Sequence, residues 1–290
     1  SGQPINNNSS YKGTLTDYNG SGWTTVDYVG NYKLTSTHTV SLGTHYDYNR
    51  LNSVTFSVAD WQNASTYGNG TTLSARGVGA TDTKALWVQD AWALSSVLRL
   101  TAGLRYENWN SFDGSVLSSS GSSNPSALSA DKFSPKLSLA YDAPANWLIT
   151  TSLANAARFP TPGELYNIAT SANGATCANG SNTCTYSPSR LKPEDVWSAE
   201  ITFEKKFGES FVRTSLFAEQ VADALISSYG YPDSTNPNTL FSTWQNIKKV
   251  RTYGIELAGQ LKNLLVRGFD FGGSVTLLDS RVVDADQVIS

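Results

Sequence analysis

The chain has 290 residues, a formal net charge of −3 and a pI near 5.4, which argue against nucleic acid as a partner. Charged residues make up only 16% of the sequence, below the share of about 25% that soluble domains usually have. No apolar run approaches the roughly 18 residues of a transmembrane helix, but the strands of a membrane barrel carry only alternating signals and would escape that test.

Alternation of apolar and polar residues with a period of two predicts ten β-strands. In the fourth, VLRLTAGLRYE, apolar side chains occupy the even positions from 98 to 106, and polar residues or glycine occupy the odd positions from 99 to 107. The ten stretches are residues 23–32, 38–48, 85–92, 97–107, 133–141, 147–156, 194–206, 211–226, 250–261 and 269–278.

The connections between these stretches alternate in length. Short links lie around Ser36, Leu94, Pro144, Gly208 and Leu264. Long polar links are predicted over residues 58–83, 111–131, 158–193 and 227–246. Short turns at one end and long loops at the other are typical of an antiparallel up-and-down barrel in an outer membrane.

The two faces of the strands support the same fold class. The polar face carries charges suited to a wet lumen: Arg99, Arg105, Glu107, Lys136, Glu200, Glu204, Glu256 and Asp270. The apolar face carries aromatic residues suited to the two membrane interfaces: Tyr46, Tyr106, Tyr141, Trp147, Trp197 and Tyr253. A soluble β-domain is the alternative, since Tyr and Trp favour strands in any environment.

The only two cysteines, Cys177 and Cys184, lie in the polar segment CANGSNTC and predict a short-loop disulfide in a non-cytosolic compartment. A metal site would need further ligands nearby, and both histidines are distant in sequence. Nucleophile, zinc-protease and phosphate-loop motifs are absent, so we expect neither a catalytic site nor a cofactor.

Five segments together resemble TonB-dependent outer-membrane receptors. RFPTPGELY (158–166) resembles the segment that opens a long outer loop, and RLKPEDVWSAEITFEKKF (190–207) resembles the entry into the following strand. NIKKVRTYGIELAGQL (246–261) resembles a later strand, and ALWVQDAWAL with LRLTAGLRYENW resembles an earlier hairpin of the same barrels. The order and spacing of these segments from about residue 84 to residue 280 make the resemblance specific.

The resemblance implies a barrel of about 22 strands around a plug domain. Residues 1–290 would be the middle part of that barrel, about ten strands, with the plug and the final strands outside this chain. The implied function is uptake of a scarce extracellular ligand, most often a ferric siderophore, across a bacterial outer membrane. The implied partners are outer-membrane lipid and lipopolysaccharide, the ligand, and the TonB energy-coupling complex, which would act through the plug.

Ligand contacts are expected in the outer loops and the upper lumen. The loop aromatics that could hold a ligand are Trp61, Tyr67, Tyr186, Tyr229, Tyr231 and Trp244. Arg158 and Tyr166 are further candidates, although with Glu164 they could instead fix the base of the loop, with Arg158 paired to Glu164 or to a lumen carboxylate. Two other functions remain open: a passive porin or adhesion barrel, and a soluble carbohydrate-binding β-domain.

Overall fold

A computed structural model describes residues 11–63, 71–118, 121–166, 169–171, 183–184, 191–230, 241–263 and 265–284. These residues form strands and one helical turn. The strands are β1 (Gly13–Asp17), β2 (Gly22–Lys33), β3 (His38–Val58), β4 (Thr72–Ala93), β5 (Leu98–Ser118), β6 (Gly121–Ser123), β7 (Leu128–Ala143), β8 (Trp147–Arg158), β9 (Ala169–Ser171), β10 (Thr183–Cys184), β11 (Glu194–Phe207), β12 (Ser210–Gly230), β13 (Phe241–Leu261) and β14 (Phe271–Asp284). The helical turn α1 (Pro162–Leu165) follows β8.

All the described strands belong to one antiparallel sheet. Ten of them, in the order β2-β3-β4-β5-β7-β8-β11-β12-β13-β14, pair with the neighbours that precede and follow them. Each contains most or all of one predicted alternating stretch, so the predicted all-β up-and-down fold is confirmed. The short β1 pairs with the far half of β3 and continues the line of β2.

Tight turns join the strands at one end of the sheet. The three-residue turn between β7 and β8 contains Ala145 and Asn146, both with positive φ (60° and 61°), as short hairpin loops require at one or more positions. Gly208 supplies the positive φ (61°) between β11 and β12. Asp270 was predicted on the lumen face of a strand, and this is wrong: β14 begins at Phe271, and Asp270 lies in the preceding turn, where it accepts a hydrogen bond from Lys262 (2.7 Å).

The long links at the other end are shorter than the sequence predicted. Five strands, β3, β4, β5, β12 and β13, have 21 or 22 residues and extend into segments expected to be loop. A strand needs only about 9–11 residues to cross a bilayer, and these strands are about twice that length. Their outer halves were missed because polar residues there continue the row that is apolar lower down, as Asn108 and Asn110 continue the row of Leu104 and Tyr106 on β5, so the apolar alternation disappears.

The sheet has two chemically different faces. The outer face carries exposed apolar side chains along adjacent strands, including Leu86 (61%), Leu104 (46%) and Leu257 (52%). The inner face carries the intervening residues, and there Glu107 is only 8% exposed. On the outer face the rings of Tyr106 and Phe133, which are register partners, lie 5.0 Å apart.

A buried apolar cluster lies on the inner face, at the end of the sheet with the long links. Its members are Trp109, Val116, Leu165, Tyr166, Leu191 and Leu225, with Leu128, Ala130, Phe159 and Trp244 packed against them. The cluster joins β5 to β13, five strand spacings or about 24 Å on a flat sheet. Because α1 is a single turn only about 6 Å long, the sheet must curve around the cluster, which makes the inner face the concave one.

Candidate functional site

The segment that follows β8, residues 159–166, crosses the concave inner face, and we call it the strap. Pro162 stands at the first helical position of α1, where its missing N–H costs nothing. The Thr161 side chain caps the turn by accepting from the Glu164 backbone N–H (3.4 Å), and Glu164 Oε2 accepts from the Thr161 backbone N–H (2.7 Å). The local sequence therefore folds the strap into a compact corner rather than an open loop.

Glu164 anchors this corner to the strands on one side of the strap. Its carboxylate is 3% exposed and forms an ion pair with Arg158, the last residue of β8. Arg158 Nη1 also lies 3.6 Å from Glu194 Oε1 at the start of β11, and Glu194 Oε1 accepts from the backbone N–H of Leu225 on β12 (2.6 Å). Both partners predicted for Arg158, Glu164 and a lumen carboxylate, are therefore confirmed as contacts.

Tyr166 anchors the other end of the strap in a cradle of three glycines. A Cβ on Gly79 would lie 2.0 Å from Tyr166 Cε2, and one on Gly114 would lie 2.5 Å from Cε1. A Cβ on Gly77 would lie 2.5 Å from the Tyr166 carbonyl oxygen, so β4 and β5 approach this residue as only glycine allows. The ring is 3% exposed, its hydroxyl donates to the Phe112 carbonyl oxygen (3.3 Å), and burial raises the pKa of that hydroxyl.

Aromatic stacking holds the first residue of the strap against the wall. Phe159 stacks on Trp109 of β5 with ring centroids 5.7 Å apart and an interplanar angle of 7°. Residues just before β11 are fixed in the same region, because Asn246 of β13 accepts from the Lys192 N–H (2.8 Å) and donates to the Lys192 carbonyl (2.9 Å). The strap thus ties β4 and β5 to β8, β11 and β12 across the concave face.

Nearer the tight turns, the inner face contains a hollow of about 550 Å³ with both polar and apolar lining residues. Trp87, Gln89, Arg105, Glu107 and Lys136 line part of it. Arg105 Nε donates to Glu107 Oε1 (2.8 Å), and Gly43 leaves room for the Trp87 ring, since a Cβ there would lie 2.7 Å from that ring. The predicted lumen residues Arg105, Glu107 and Lys136 therefore share one surface.

The predicted ligand-contact residues are not all in the part of the chain that the structure describes. Tyr67, Tyr186, Tyr231 and Cys177 lie outside it, and Tyr229 and Cys184 are described by their backbone only. Trp61 is 53% exposed beside Gly13 at the far end of β1, and Trp244 packs against the buried cluster. The disulfide and the ligand contacts thus stay predictions, and the burial of Tyr166 favours its alternative role in fixing the loop base.

Comparison with known families identifies the fold. The sequence matches the family described as TonB dependent receptor-like, beta-barrel, over residues 1–288. The chain belongs to this family. In this TonB-dependent receptor barrel the outer face is the apolar one, and the strap crosses the inner face.

Solved structures share this barrel at low sequence identity. The copper transporter OprC matches with a TM-score of 0.66 and 13% identity, covering 94% of this chain and 40% of OprC. The ferric yersiniabactin uptake receptor FyuA from Yersinia pestis matches with a TM-score of 0.64 and 14% identity, covering 96% and 38%. The ferric-catecholate import receptor Fiu from K12 E. coli matches with a TM-score of 0.58 and 17% identity, covering 96% and 39%.

This chain spans about two fifths of the length of each of those three structures. A search of curated proteins finds no significant match. Among the described residues, no helix has the length and hydropathy needed to cross a membrane. Among the described residues, no three His, Cys, Asp or Glu side chains come together as a metal site.

The sequence analysis missed the glycine cradle and Trp109. Gly77 and Gly79 fall in residues 58–83, which were predicted as a loop, where glycine is common; only their place in β4 makes them a sign of close approach by another group. Nothing in the sequence shows that the approaching group is Tyr166, which follows Gly79 by 87 positions in the numbering. Gly79 and Tyr166 come into contact only because the strap crosses the lumen.

Proposed function

We propose that this chain is part of the barrel of an outer-membrane receptor that binds a scarce extracellular ligand and imports it with TonB-coupled energy. Its location would be the outer membrane of a Gram-negative bacterium, and TonB would act through a plug domain of the same receptor. The observation that carries the proposal is the family match over residues 1–288 together with a sheet that is apolar outside and polar inside.

The ligand class we propose is a ferric siderophore. One similar structure is a ferric yersiniabactin uptake receptor and another is a ferric-catecholate import receptor, whereas a third is a copper transporter. The described part of the lumen offers no metal-binding cluster for a bare copper ion, whereas its aromatic and charged side chains suit a larger polar ligand. Haem and cobalamin are also larger ligands that aromatic and charged side chains could bind, so the test includes both.

The test is growth of a deletion strain complemented with the full-length receptor on single sources of iron or cofactor. The panel contains catecholate, hydroxamate and mixed-type ferric siderophores, haem, cobalamin and copper, each with and without a functional TonB complex. We expect growth on one ferric siderophore only when both receptor and TonB are present. A panel in which no compound needs the receptor would reject import of these ligands.

A passive porin makes a different prediction. Full-length protein in liposomes without the energy complex should allow swelling in small sugars if the lumen is open. We expect no swelling, since a plug and the strap would block the lumen. Swelling at porin-like rates would support the porin and reject the receptor.

Trp61 offers a direct test of the ligand-contact residues. It is 53% exposed at the loop end, whereas Trp147 is 41% exposed on the outer face beside a tight turn. Trp61→Ala should weaken binding of the imported ligand about tenfold if the indole stacks on it. Trp147→Ala is the matched control, and equal effects of the two substitutions would remove Trp61 from the site.

A further inference from the structure

The hollow on the inner face carries one positive charge in excess. Its wall contains three charged residues, Arg105, Glu107 and Lys136. Arg105 Nε donates to Glu107 Oε1 (2.8 Å), so these two side chains neutralise each other. Among the described residues the Lys136 ammonium has no ion pair or hydrogen bond, so its charge is left for an anion.

The stem of Lys136 is already packed against the wall. Its register partner on β5 is Gly103, and a Cβ on that glycine would lie 3.3 Å from Lys136 Cγ and 3.4 Å from Cε. Gly103 thus lets the stem lie close against β5. Because this long side chain is partly fixed beforehand, it loses less conformational freedom when its ammonium binds a ligand.

Trp87 gives the same hollow a flat apolar surface. Its ring lies over Gly43, where a Cβ would come within 2.7 Å of it. From β8 the hollow receives only three alanines and Asn155, so this strand leaves open space beside the ring. The volume of about 550 Å³ lies within the range of about 300–1,000 Å³ that small-molecule sites have. An aromatic ring and an unpaired ammonium in one concave surface suit a planar group with a negative charge.

The hollow lies directly beside the strap, on the side of the tight turns. Trp109, which stacks on the strap, is followed at the next inward positions of β5 by Glu107 and Arg105, which line the hollow. Inward positions are about 7 Å apart along a strand, so the hollow begins about one step from the strap. A ligand that enters from the loop end meets this surface only after it has passed the strap.

We propose that the hollow is a second ligand site, specific for an anionic aryl group such as a catecholate or an aryl carboxylate. This rests on the proposed function, and it adds a site on the far side of the strap from the outer loops. Lys136 pairs with the anionic oxygen atoms, and the Trp87 ring stacks on the arene. The unpaired charge and the aromatic surface therefore select the same chemical class.

The experiment measures binding of salicylate, a small aryl carboxylate, to the full-length receptor in detergent by titration calorimetry. Salicylamide is titrated in parallel as the neutral probe of similar shape. The test variant is Lys136→Gln, and Lys136→Arg restores the charge. The matched control is Lys84→Gln, because Lys84 lies on the opposite face of the sheet, two positions from Leu86, and pairs with Asp82 (3.0 Å).

We expect the wild type to bind salicylate about tenfold or more tightly than salicylamide, the gain that a charge-assisted hydrogen bond gives. Lys136→Gln should lose this preference, whereas Lys136→Arg and Lys84→Gln should keep it. A preference that survives in Lys136→Gln would overturn the proposal. Absence of salicylate binding to the wild type would also overturn it, because another part of the receptor, such as the plug, would then fill the hollow.

Trp87→Leu tests the second contact and does not depend on the folding of the lysine variants. It should weaken both probes to a similar extent, since each contains the aromatic ring that stacks on the indole. Unchanged affinity for both probes would count against the site.

Failure of this site can be separated from failure of the proposed function. Salicylate binding needs neither TonB nor an imported ligand, so growth on the nutrient panel is an independent result. Receptor-dependent growth on a ferric siderophore without a salicylate preference would reject the second site and leave the proposed function standing. A preference that depends on Lys136, without growth on any panel compound, would instead reject the proposed function.

Discussion

Single glycines decide whether the strap can reach the wall. Gly79 accepts the Tyr166 ring at a distance that no side chain would permit, with 2.0 Å between the position of a Cβ and Tyr166 Cε2. Backbone and ring are both buried there, so neither can move aside without breaking other contacts. The cradle therefore requires glycine for steric reasons, and adding a single methyl group at Gly79 tests that requirement.

Gly79→Ala should destabilise the receptor by about 1–3 kcal/mol, the usual cost of overpacking a filled site. The measurement is the free energy of unfolding of the full-length protein in detergent. Gly273→Ala on β14 is the control, since no atom lies within 4 Å of the position of its Cβ. In a Tyr166→Ala background the cost of Gly79→Ala should largely disappear, and a cost that persists would show that Tyr166 is not the obstacle.

Leu104 tests the assignment of the two faces. It is 46% exposed on the outer face, so in water an arginine at this position would cost little. In a bilayer Leu104→Arg should cost about 2–4 kcal/mol near the midplane and reduce the amount of folded receptor in outer membranes. Thr101→Arg, on the lumen face of the same strand, should be much milder, and equal effects would show that the faces are wrongly assigned.

At the scale of elements, the strap depends on one partly buried ion pair. Arg158 has a side chain that is 43% exposed, whereas Glu164 is buried, so removing the guanidinium leaves a carboxylate in a site that water reaches poorly. Arg158→Met should therefore cost about 1–3 kcal/mol, toward the lower end for such pairs because Arg158 is partly solvated.

The same variant should loosen the strap locally. Hydrogen exchange at the backbone amides of Leu165 and Tyr166, which donate within the turn to Thr161 and Pro162, should become faster. Arg267→Met, in the exposed turn before β14, should leave those amides unchanged. Unaltered protection in Arg158→Met would mean that the glycine cradle alone holds the strap.

The turn between β13 and β14 is held by a pH-dependent contact. Hydrogen bonds from the Lys262 ammonium and from the Asn263 backbone N–H lower the pKa of Asp270, and the carboxylate in turn raises the pKa of Lys262. A lowered carboxyl pKa contributes stability above its unfolded value, and that contribution is lost as the pH falls through the folded value.

Asp270→Asn should thus lower the unfolding temperature at neutral pH, and the difference from wild type should close as the pH falls below the lowered pKa of Asp270. Lys262→Gln should remove the same contribution, and the double variant should lose little more. A difference that stays constant into acid would exclude titration of Asp270 as its cause.

The ten paired strands could be predicted because alternation is a local signal wherever one face meets an apolar environment. Leu104 and Tyr106 carry that signal, and the even positions from 102 to 106 are exposed while the odd positions from 101 to 107 are less exposed, as the alternation predicts. The outer halves of β3, β4 and β5 lack it, since polar residues there continue the row that is apolar in the belt. Among the contacts that hold the strap, only those of Arg158 were predicted. Arg158 and Glu164 are six residues apart, so their pairing is a local contact that the sequence can suggest. Tyr166 meets Gly77, Gly79 and Gly114 only through the curvature of the sheet, so this contact was missed.

On the scale of the whole molecule, the outer face decides how the protein behaves in solution. Adjacent strands expose large apolar side chains in a continuous band, including Tyr28 (63%), Leu86 (61%), Leu104 (46%), Leu257 (52%) and Leu277 (68%). Soluble monomers rarely expose contiguous apolar patches larger than a few hundred Å². A band of this kind needs either lipid or detergent to cover it.

The full-length receptor should therefore be extracted from membranes by detergent and remain in the pellet after washing with alkaline carbonate. Purified protein should be monodisperse above the critical micelle concentration and should aggregate when the detergent is diluted below it, because the belt then faces water. Light scattering during dilution measures the transition. The soluble carbohydrate-binding alternative predicts the opposite, a monodisperse protein in detergent-free buffer, and that result would contradict the lipid-facing assignment of Leu86, Leu104 and Leu257 together.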